Sequence, residues 1–142
     1  MDSRIFRGKH DIFWIYGYYV VYPNKNNYII DYQDGKEHSV IPETVGRSTG
    51  KIDLKGRYIF EHDIYFSEEE EEHGDVRYHY VCVWVKEWSR FIWLHIDEYK
   101  DYLDNGVENL EKDYLMCANT FGLNVEFMHY AGNIFENAHL LD

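Results

Sequence analysis

The chain has 142 residues, a formal net charge of −12 and an aromatic content of 18%. This length suits one ordinary domain, and the many aromatic residues exclude a disordered chain, which lacks the apolar surface needed to offset ordering entropy. The negative charge disfavours direct binding to nucleic acids or anionic membranes, because the basic residues form no visible cluster. We therefore expect a single folded domain over residues 1–142.

The two cysteines, Cys82 and Cys117, lie far apart in apolar stretches. This spacing matches neither a disulfide framework nor a zinc knuckle, so we predict buried thiols in a reducing compartment. The segment Met1–Lys9 lacks the apolar core of a signal peptide, and no run reaches the length of a membrane span. These features predict a cytoplasmic protein.

The first third of the sequence is rich in aromatic and β-branched residues that predict strands. Residues 12–22 predict a long strand, in which Gly17 marks a bulge or a close backbone approach. Residues 28–33 and 36–41 predict two more strands, and Asp34-Gly35 between them predicts a two-residue hairpin turn. Together these elements predict an antiparallel meander.

The middle of the chain alternates between glycine-rich and apolar segments. Residues 42–56 predict an irregular stretch that ends in a tight turn at Asp53–Gly56. Residues 57–66 predict a strand. Residues 67–75, which include the consecutive glutamates Glu68–Glu72, predict a solvated loop, because a block of like charges is usually solvated.

Two apolar segments follow and predict the centre of the core. Residues 76–86 are apolar on both faces, as in a central strand, and residues 90–96 have the same character. The intervening turn, 87–89, predicts a hairpin. Trp88 in this turn is expected to be exposed and available to a partner.

The apolar period changes to a helical one near residue 106. An amphipathic helix is predicted at about 106–120, with Asn105 and Glu108 as a capping box. A short helical turn at 97–104 precedes it, and a last strand is predicted at 125–130. The whole pattern predicts a mainly β (α+β) fold, in which antiparallel strands curl into a barrel-like or sandwich sheet and one helix packs near the C-terminus.

Three groups of segments also resemble a known family. They comprise Phe6–Lys9 and Trp14–Tyr18; Pro42–Gly46, Thr49-Gly50, Asp53, Gly56 and Ile59–Ile64; and Gly132–Asn137 with Leu140-Leu141. In order and spacing they resemble the YopX family of phage and prophage proteins. The resemblance implies a largely β fold and a phage origin, and it carries over no catalytic residues.

His62 departs from the family pattern, which typically has glycine at this position. A glycine within a strand often marks a positive φ angle or a bulge, and histidine tolerates left-handed φ better than a β-branched residue does. We therefore predict a bulge near His62.

The chemical candidates in the sequence are incomplete. Gly46–Lys51 superficially resembles a phosphate-binding loop, but its spacing is wrong and it predicts a structured turn. Glu61 and Asp63 share one face of a predicted strand and offer two oxygen ligands to a cation such as Mg²⁺, which is too few for a site. His79 and His95 lie on neighbouring predicted strands, without the motifs of a zinc site. We predict no catalytic, cofactor or metal site.

Three functions follow from these observations. The first is a non-enzymatic phage accessory protein that binds another protein, either one from the bacterial host or a second copy of itself. The second is an acidic mimic of nucleic acid that occupies a host DNA-binding protein, with the carboxylates of Glu68–Glu72 and of residues 97–113 in place of phosphates. The third is a metal-assisted enzyme that uses Glu61, Asp63 and a histidine. We favour the first, with no direct binding to nucleic acid or membrane.

Overall fold

The computed structural model describes residues 4–110 and 128–142. The chain divides into two compact units, and the expectation of a single domain stays a prediction. The first unit consists of Met1–Lys51 and Tyr58–Phe60. The second consists of Ile52–Arg57 and Glu61–Asp142. Each unit is built around one antiparallel sheet.

The first unit contains a six-stranded sheet with the order β4-β3-β2-β1-β5-β6. Its strands are β1 (Phe6–His10), β2 (Phe13–Val21), β3 (Asn27–Asp31), β4 (Glu37–Ser39), β5 (Ile41–Ile52) and β6 (Tyr58–Phe60). The prediction of an irregular stretch at 42–56 is wrong for most of that range, because β5 pairs with β1 there. The tight turn at its end is confirmed, since Gly56 N donates to Asp53 O across 3.0 Å.

Gly17 lies where β2 passes between β1 and β3. It is paired with Phe6 on one side and Asp31 on the other. A Cβ atom at this position would overlap the backbone carbonyl of Ile30. The predicted close backbone approach is therefore confirmed, and glycine is required because no side chain fits there.

The hairpin between β3 and β4 has a longer connection than the predicted two-residue turn. Asp31 N donates to Lys36 O, and Gly35 N donates to Asp31 O, each across 2.8 Å. The Asp31 carboxylate also accepts a hydrogen bond from Gln33 N. The side chain of Asp31 thus stabilises a wider loop in which Gly35 adopts a left-handed φ of 71°.

The second unit contains a four-stranded sheet with the order β10-β7-β8-β9, and all neighbouring strands are antiparallel. Its strands are β7 (Asp63–Glu71), β8 (Gly74–Val85), β9 (Arg90–His95) and β10 (His129–Asn133). The mainly β fold is confirmed. Each sheet ends in two different edge strands, so the described strands do not close into a barrel.

One face of the second sheet carries a cluster of buried apolar residues. Its members are Ile64, Val81, Val83, Val85, Ile92, Leu94 and Tyr99. Trp88 lies in a short 3₁₀ turn between β8 and β9, as the predicted hairpin required, but it packs against this cluster. The prediction that Trp88 is exposed is therefore wrong. Cys82 is fully buried, and strand alternation directs its side chain to the opposite face.

The α-helix of the second unit, α1, spans Ile96–Asn105, so the helical turn predicted at 97–104 is confirmed and is a full helix of ten residues. Residues 106–110 form a turn, and residues 111–120 of the predicted helix lie outside the described residues. Residues 125–127 of the predicted strand 125–130 also lie outside the described residues, and its last two residues, His129 and Tyr130, fall within β10. No helix in the described ranges is long and apolar enough to cross a membrane.

The start of α1 at Ile96 is explained by its cap. His95 Nδ1 accepts a hydrogen bond from Asp97 N, and the Glu98 carboxylate accepts one from His95 N, which completes a capping box. Gly106 then ends the helix with a positive φ of 66° and donates its N–H to Tyr102 O. Histidine is an uncommon N-cap residue, so the sequence pattern predicted only a short helical turn here.

His62 lies between β6 and β7 and has a φ of 79°. The predicted left-handed conformation is confirmed, although it interrupts the predicted strand 57–66 as a turn and does not form a bulge within it. Its N–H donates to Cys82 O, and its carbonyl accepts from Ile134 N. Both backbone groups are thus satisfied despite the strained conformation.

Candidate functional site

The glutamate-rich segment is part of a β-hairpin, so the prediction of a solvated loop at 67–75 is wrong. β7 and β8 pair from Ile64↔Val81 to Glu71↔Gly74. In the described residues, β10 pairs with β7 only as far as Phe66, and β9 pairs with β8 only as far as Tyr80. We call the two-stranded segment beyond these points, Ser67–Tyr78, the acidic arm.

The carboxylates of the acidic arm are only partly neutralised. Arg77 Nε lies 2.9 Å from Glu68 Oε1, and Tyr78 Oη donates to Glu71 Oε1 across 2.6 Å. This hydrogen bond is the main reason that the pKa of Tyr78 is raised. The side chains of Glu69, Glu70 and Glu72 make no ion pair or hydrogen bond within the described part of the chain, and all three residues are exposed.

A pocket of about 530 Å³ lies at the base of the acidic arm. It combines the turn between β5 and β6 with the start of β10 and the last residue of β7 before the arm. Its walls are Asp53, Leu54, Lys55, Gly56, Arg57, Phe66, Met128, His129 and Tyr130. We call it the basic pocket, for the side chains described next.

Asp53 holds the wall of the basic pocket in place. Its Oδ1 accepts hydrogen bonds from the backbone N–H groups of Lys55 and Arg57, each at 2.9 Å. Its Oδ2 accepts a hydrogen bond from Tyr65 Oη across 2.8 Å. Burial and this hydrogen bond raise the pKa of Tyr65, which keeps the phenol protonated as a donor. The carboxylate of Asp53 is therefore engaged in structure.

Three nitrogen-bearing side chains, those of Lys55, Arg57 and His129, make the pocket suited to anionic ligands. The Arg57 guanidinium lies over the Tyr130 ring, with its carbon 3.8 Å from the ring centroid. Lys55 and His129 are exposed at the same pocket, and the His129 ring packs 5.2 Å from Phe66. Lys and Arg side chains suit carboxylate or phosphate ligands. The pocket can therefore hold an anionic group against apolar walls.

The sequence prediction missed this pocket. Lys51, Lys55 and Arg57 fall within seven residues, which was the available signal for a local excess of positive charge. The other wall, Met128–Tyr130, is about seventy residues further along the chain. Only the pairing of β10 with β7 brings the two together, and sequence spacing does not reveal that pairing.

Glu61 and Asp63 do not converge on one ligand. Glu61 Oε2 lies 3.5 Å from His62 Nε2. Burial, followed by the charge of Glu61, raises the pKa of Tyr99 on the helix side of the sheet. Asp63 is buried, and its charge contributes to the raised pKa of Tyr65 on the opposite face. The left-handed residue between them breaks the alternation that would have placed both on one face.

The two histidines considered for zinc also separate. His95 caps α1, and its ring packs against Tyr80 with centroids 5.7 Å apart. His79 belongs to the other face of β8, where its ring lies 5.8 Å from Phe66. Burial, followed by the charges of Arg77 and His95, lowers the pKa of His79.

A third arrangement of potential ligands occurs at the β3–β4 loop. Asp31, Asp34 and His38 place their ligand atoms within 4.8 Å of one another, which could suit a divalent cation. However, Asp31 already accepts a hydrogen bond from Gln33 N, and Asp34 accepts one from Lys36 N. Capping of the loop therefore accounts for the proximity of these carboxylates.

The segments that resemble a known family are structural in this fold. Asn133 is buried, and its Oδ1 accepts hydrogen bonds from the backbone of Phe135 and Glu136. Thr44 Oγ1 accepts a hydrogen bond from Lys9 N and donates one to Ile41 O. A scan against protein families matches residues 9–142 to the family described as YopX protein.

This chain belongs to the YopX family. The match covers nearly the whole chain, and it includes both the basic pocket and the acidic arm of this YopX-family protein. Searches of curated proteins and of solved structures found no match. The residues of the YopX-like segments stabilise turns and strand ends, so family membership supports the fold.

Proposed function

We propose that this YopX-family chain is a phage or prophage accessory protein that acts in the bacterial cytoplasm by binding another protein, without catalysis. The observation that supports this proposal most directly is the acidic arm. It presents the carboxylates of Glu69, Glu70 and Glu72 on an ordered hairpin, where they make no neutralising contact in the described residues. An ordered row of charged side chains is suited to recognition, because the hairpin backbone that carries them is already fixed and loses little conformational entropy on binding.

The charge of the arm indicates the chemistry of the partner. The arm carries six carboxylates and one arginine, so it favours a protein with a basic surface. Such charges accelerate encounter and lose their effect beyond the Debye length, about 10 Å at 0.1 M salt. Binding through the arm should therefore weaken steeply as salt is added.

The separation of the acidic candidates supports a function without catalysis. Glu61 and Asp63 act on opposite faces of the sheet, and Asp53 is fully engaged in hydrogen bonds. A catalytic carboxylate must reach a reacting atom within hydrogen-bonding distance. The hydrogen bonds of Asp53 instead stabilise the turn that it opens.

A protein partner is favoured over mimicry of nucleic acid because of strand geometry. Alternation places Glu68 and Glu70 on one face of the arm and Glu69 and Glu71 on the other. Asp75 pairs with Glu70 and adds a third carboxylate to the first face, and rows of three and two carboxylates are short compared with a phosphate backbone. A basic protein that contacts both faces of the hairpin can pair with the carboxylates on both.

Affinity capture from bacterial cells that carry the phage tests the proposal. The triple variant Glu69→Gln, Glu70→Gln, Glu72→Gln removes the exposed charge of the arm. A matched variant, Glu87→Gln, Asp104→Asn, Glu108→Gln, removes three exposed charges elsewhere. We expect one basic protein to bind the wild type and the matched variant and to be lost from the arm variant.

Two results would contradict this function. Recovery of the same partner by the arm variant would show that the arm is not the binding surface. A partner that is a DNA-binding protein and is displaced by duplex DNA would favour mimicry of nucleic acid. Turnover of a small substrate by the purified chain would replace the non-catalytic reading altogether.

A further inference from the structure

We propose that the basic pocket receives the acidic arm of a second copy of this chain, so that two molecules exchange arms in a two-fold pair. This inference rests on the pocket and does not require the foreign partner proposed above. It assigns a ligand class to the pocket, a glutamate-rich β-hairpin, and identifies that hairpin within the chain itself.

Charge complementarity is the first argument. The molecule as a whole carries a net charge of −12, yet Lys55, Arg57 and His129 meet in one pocket. Among the described residues, Asp53 is the one acid in the pocket wall, and it is engaged by two backbone N–H groups and by Tyr65. Within this part of the chain, Lys55 and Arg57 therefore have capacity for carboxylates that arrive from outside.

The position of the pocket is the second argument. Phe66 forms part of its wall and immediately precedes Ser67, the first residue of the arm. The strand from Ser67 to Glu71 is roughly 13 Å long at about 3.3 Å per residue. When two such arms lie side by side in opposite directions, the tip of each reaches the base of the other. The contact then obeys two-fold symmetry, since the same arm and pocket are used twice.

The size and walls of the pocket are the third argument. A volume of about 530 Å³ lies within the range of about 300–1,000 Å³ that is usual for specific binding sites. Leu54, Phe66 and Met128 offer apolar surface to the methylene groups of glutamate, while the basic groups face its carboxylate. The apolar walls lower the local dielectric and strengthen the ion pairs that form there.

Such a pair has a regulatory consequence. The arm cannot lie in the pocket of a second copy and on a foreign basic protein at the same time. A basic partner must therefore compete with self-association, and dilution of the chain would release arms for binding.

Reversal of charge on each side of the contact tests the proposal, with mass measured by light scattering. The pocket-reversed variant is Lys55→Glu, Arg57→Glu, and the arm-reversed variant is Glu69→Lys, Glu70→Lys, Glu72→Lys. We expect the wild type at low salt to have the mass of two chains. Each variant alone should dimerise more weakly by roughly tenfold or more. A matched variant, Lys36→Glu, Lys100→Glu, reverses exposed charges away from the pocket and should keep the wild-type mass.

Mixing the two variants makes the test specific. The reversed arm then meets the reversed pocket at one contact, and the native arm meets the native pocket at the other, so a heterodimer should form. A chain that carries both sets of substitutions should dimerise with itself for the same reason. Restored dimerisation also shows that the variants are folded, and far-ultraviolet circular dichroism checks each one separately.

Several outcomes would overturn the proposal. A wild type that remains a single chain at low salt and high concentration would remove the second copy as the ligand. A dimer that persists in both variants would show that it forms through another surface. A larger closed ring with the same charge dependence would keep the arm-to-pocket contact but exclude the two-fold pair. Loss of the foreign partner with an intact dimer would instead count only against the proposed function.

Discussion

Tyr65 and Asp53 are joined by a buried hydrogen bond, in which the Tyr65 hydroxyl donates to Asp53 Oδ2 across 2.8 Å. Tyr65 lies on β7 and has no solvent-exposed surface, whereas Asp53 opens the turn that forms one wall of the basic pocket. This hydrogen bond therefore links the turn that begins at Asp53, one wall of the pocket, to strand β7 of the second sheet. Because both groups are buried, neither can replace its partner with bulk water at low cost.

The first prediction concerns this bond. Tyr65→Phe leaves the buried Asp53 carboxylate with one hydrogen-bond donor fewer, so we expect the free energy of unfolding to fall by about 1–3 kcal/mol. Urea titration measures it. The control is Tyr18→Phe, because the Tyr18 side chain is 51% exposed and should lose less than about 0.5 kcal/mol. Equal stability of the two variants would contradict the assigned role.

The second prediction concerns the apolar cluster of the second sheet. Leu94 is fully buried there, and Leu94→Ala should lower the free energy of unfolding by about 2–5 kcal/mol, since it removes apolar contacts and leaves a cavity. Leu103 is 63% exposed on α1, and Leu103→Ala should change stability by about 0.5 kcal/mol or less. Thermal and urea unfolding of the pair provide the measurement. A similar loss in both would show that this cluster is not the core.

The third prediction compares two glycines. Gly17→Ala places a methyl group against the Ile30 carbonyl, so at least part of β2 must separate from β3, at a cost of about 1–3 kcal/mol or more. Gly56→Ala meets no atom within 4 Å and carries only the strain of a φ of 78°, about 1–2 kcal/mol. We expect Gly17→Ala to be the less stable in urea titration, and the reverse order would refute the steric argument.

The fourth prediction concerns pH. The pKa of His79 is lowered in the folded chain from an ordinary value of 6.5, mainly by burial. At pH values between the lowered pKa of His79 in the folded chain and its ordinary pKa of 6.5, the unfolded chain binds more protons than the folded chain. The free energy of unfolding should therefore fall as the pH is lowered through about 6.5. His79→Gln removes this titration and should flatten the dependence of unfolding free energy on pH between about 7 and 5. An unchanged slope would show that His79 is not perturbed.

The strands that the sequence predicted well are those in which local and tertiary preferences agree. Residues 76–86 and 90–96 are apolar on both faces, and the structure buries consecutive residues on both faces in Val81–Val83 of β8 and Ile92–Leu94 of β9. Strand β5 was missed because glycine, threonine and arginine in residues 46–51 carry no local strand signal. Its conformation depends on pairing with β1, a contact between residues about forty positions apart.

Charged segments were misread for a related physical reason. A run of five glutamates repels itself in isolation, which favours a loop, but pairing with Gly74–Arg77 and the ion pair with Arg77 hold Glu68–Glu71 as a strand. The candidate site was less predictable than the fold. Its two walls, Asp53–Arg57 and Met128–Tyr130, meet only because β10 joins the edge of β7.

Because Cys82 is buried, the rate at which its thiol reacts measures how often the structure around it opens. Its sulfur is inaccessible while β8 lies between β7 and β9, so an alkylating reagent must wait until those strands part. Mass spectrometry can follow the peptide that contains Cys82 separately from the one that contains Cys117. The labelling rate of Cys82 then reports how often the central strands of the second unit open locally, and no engineered probe is needed.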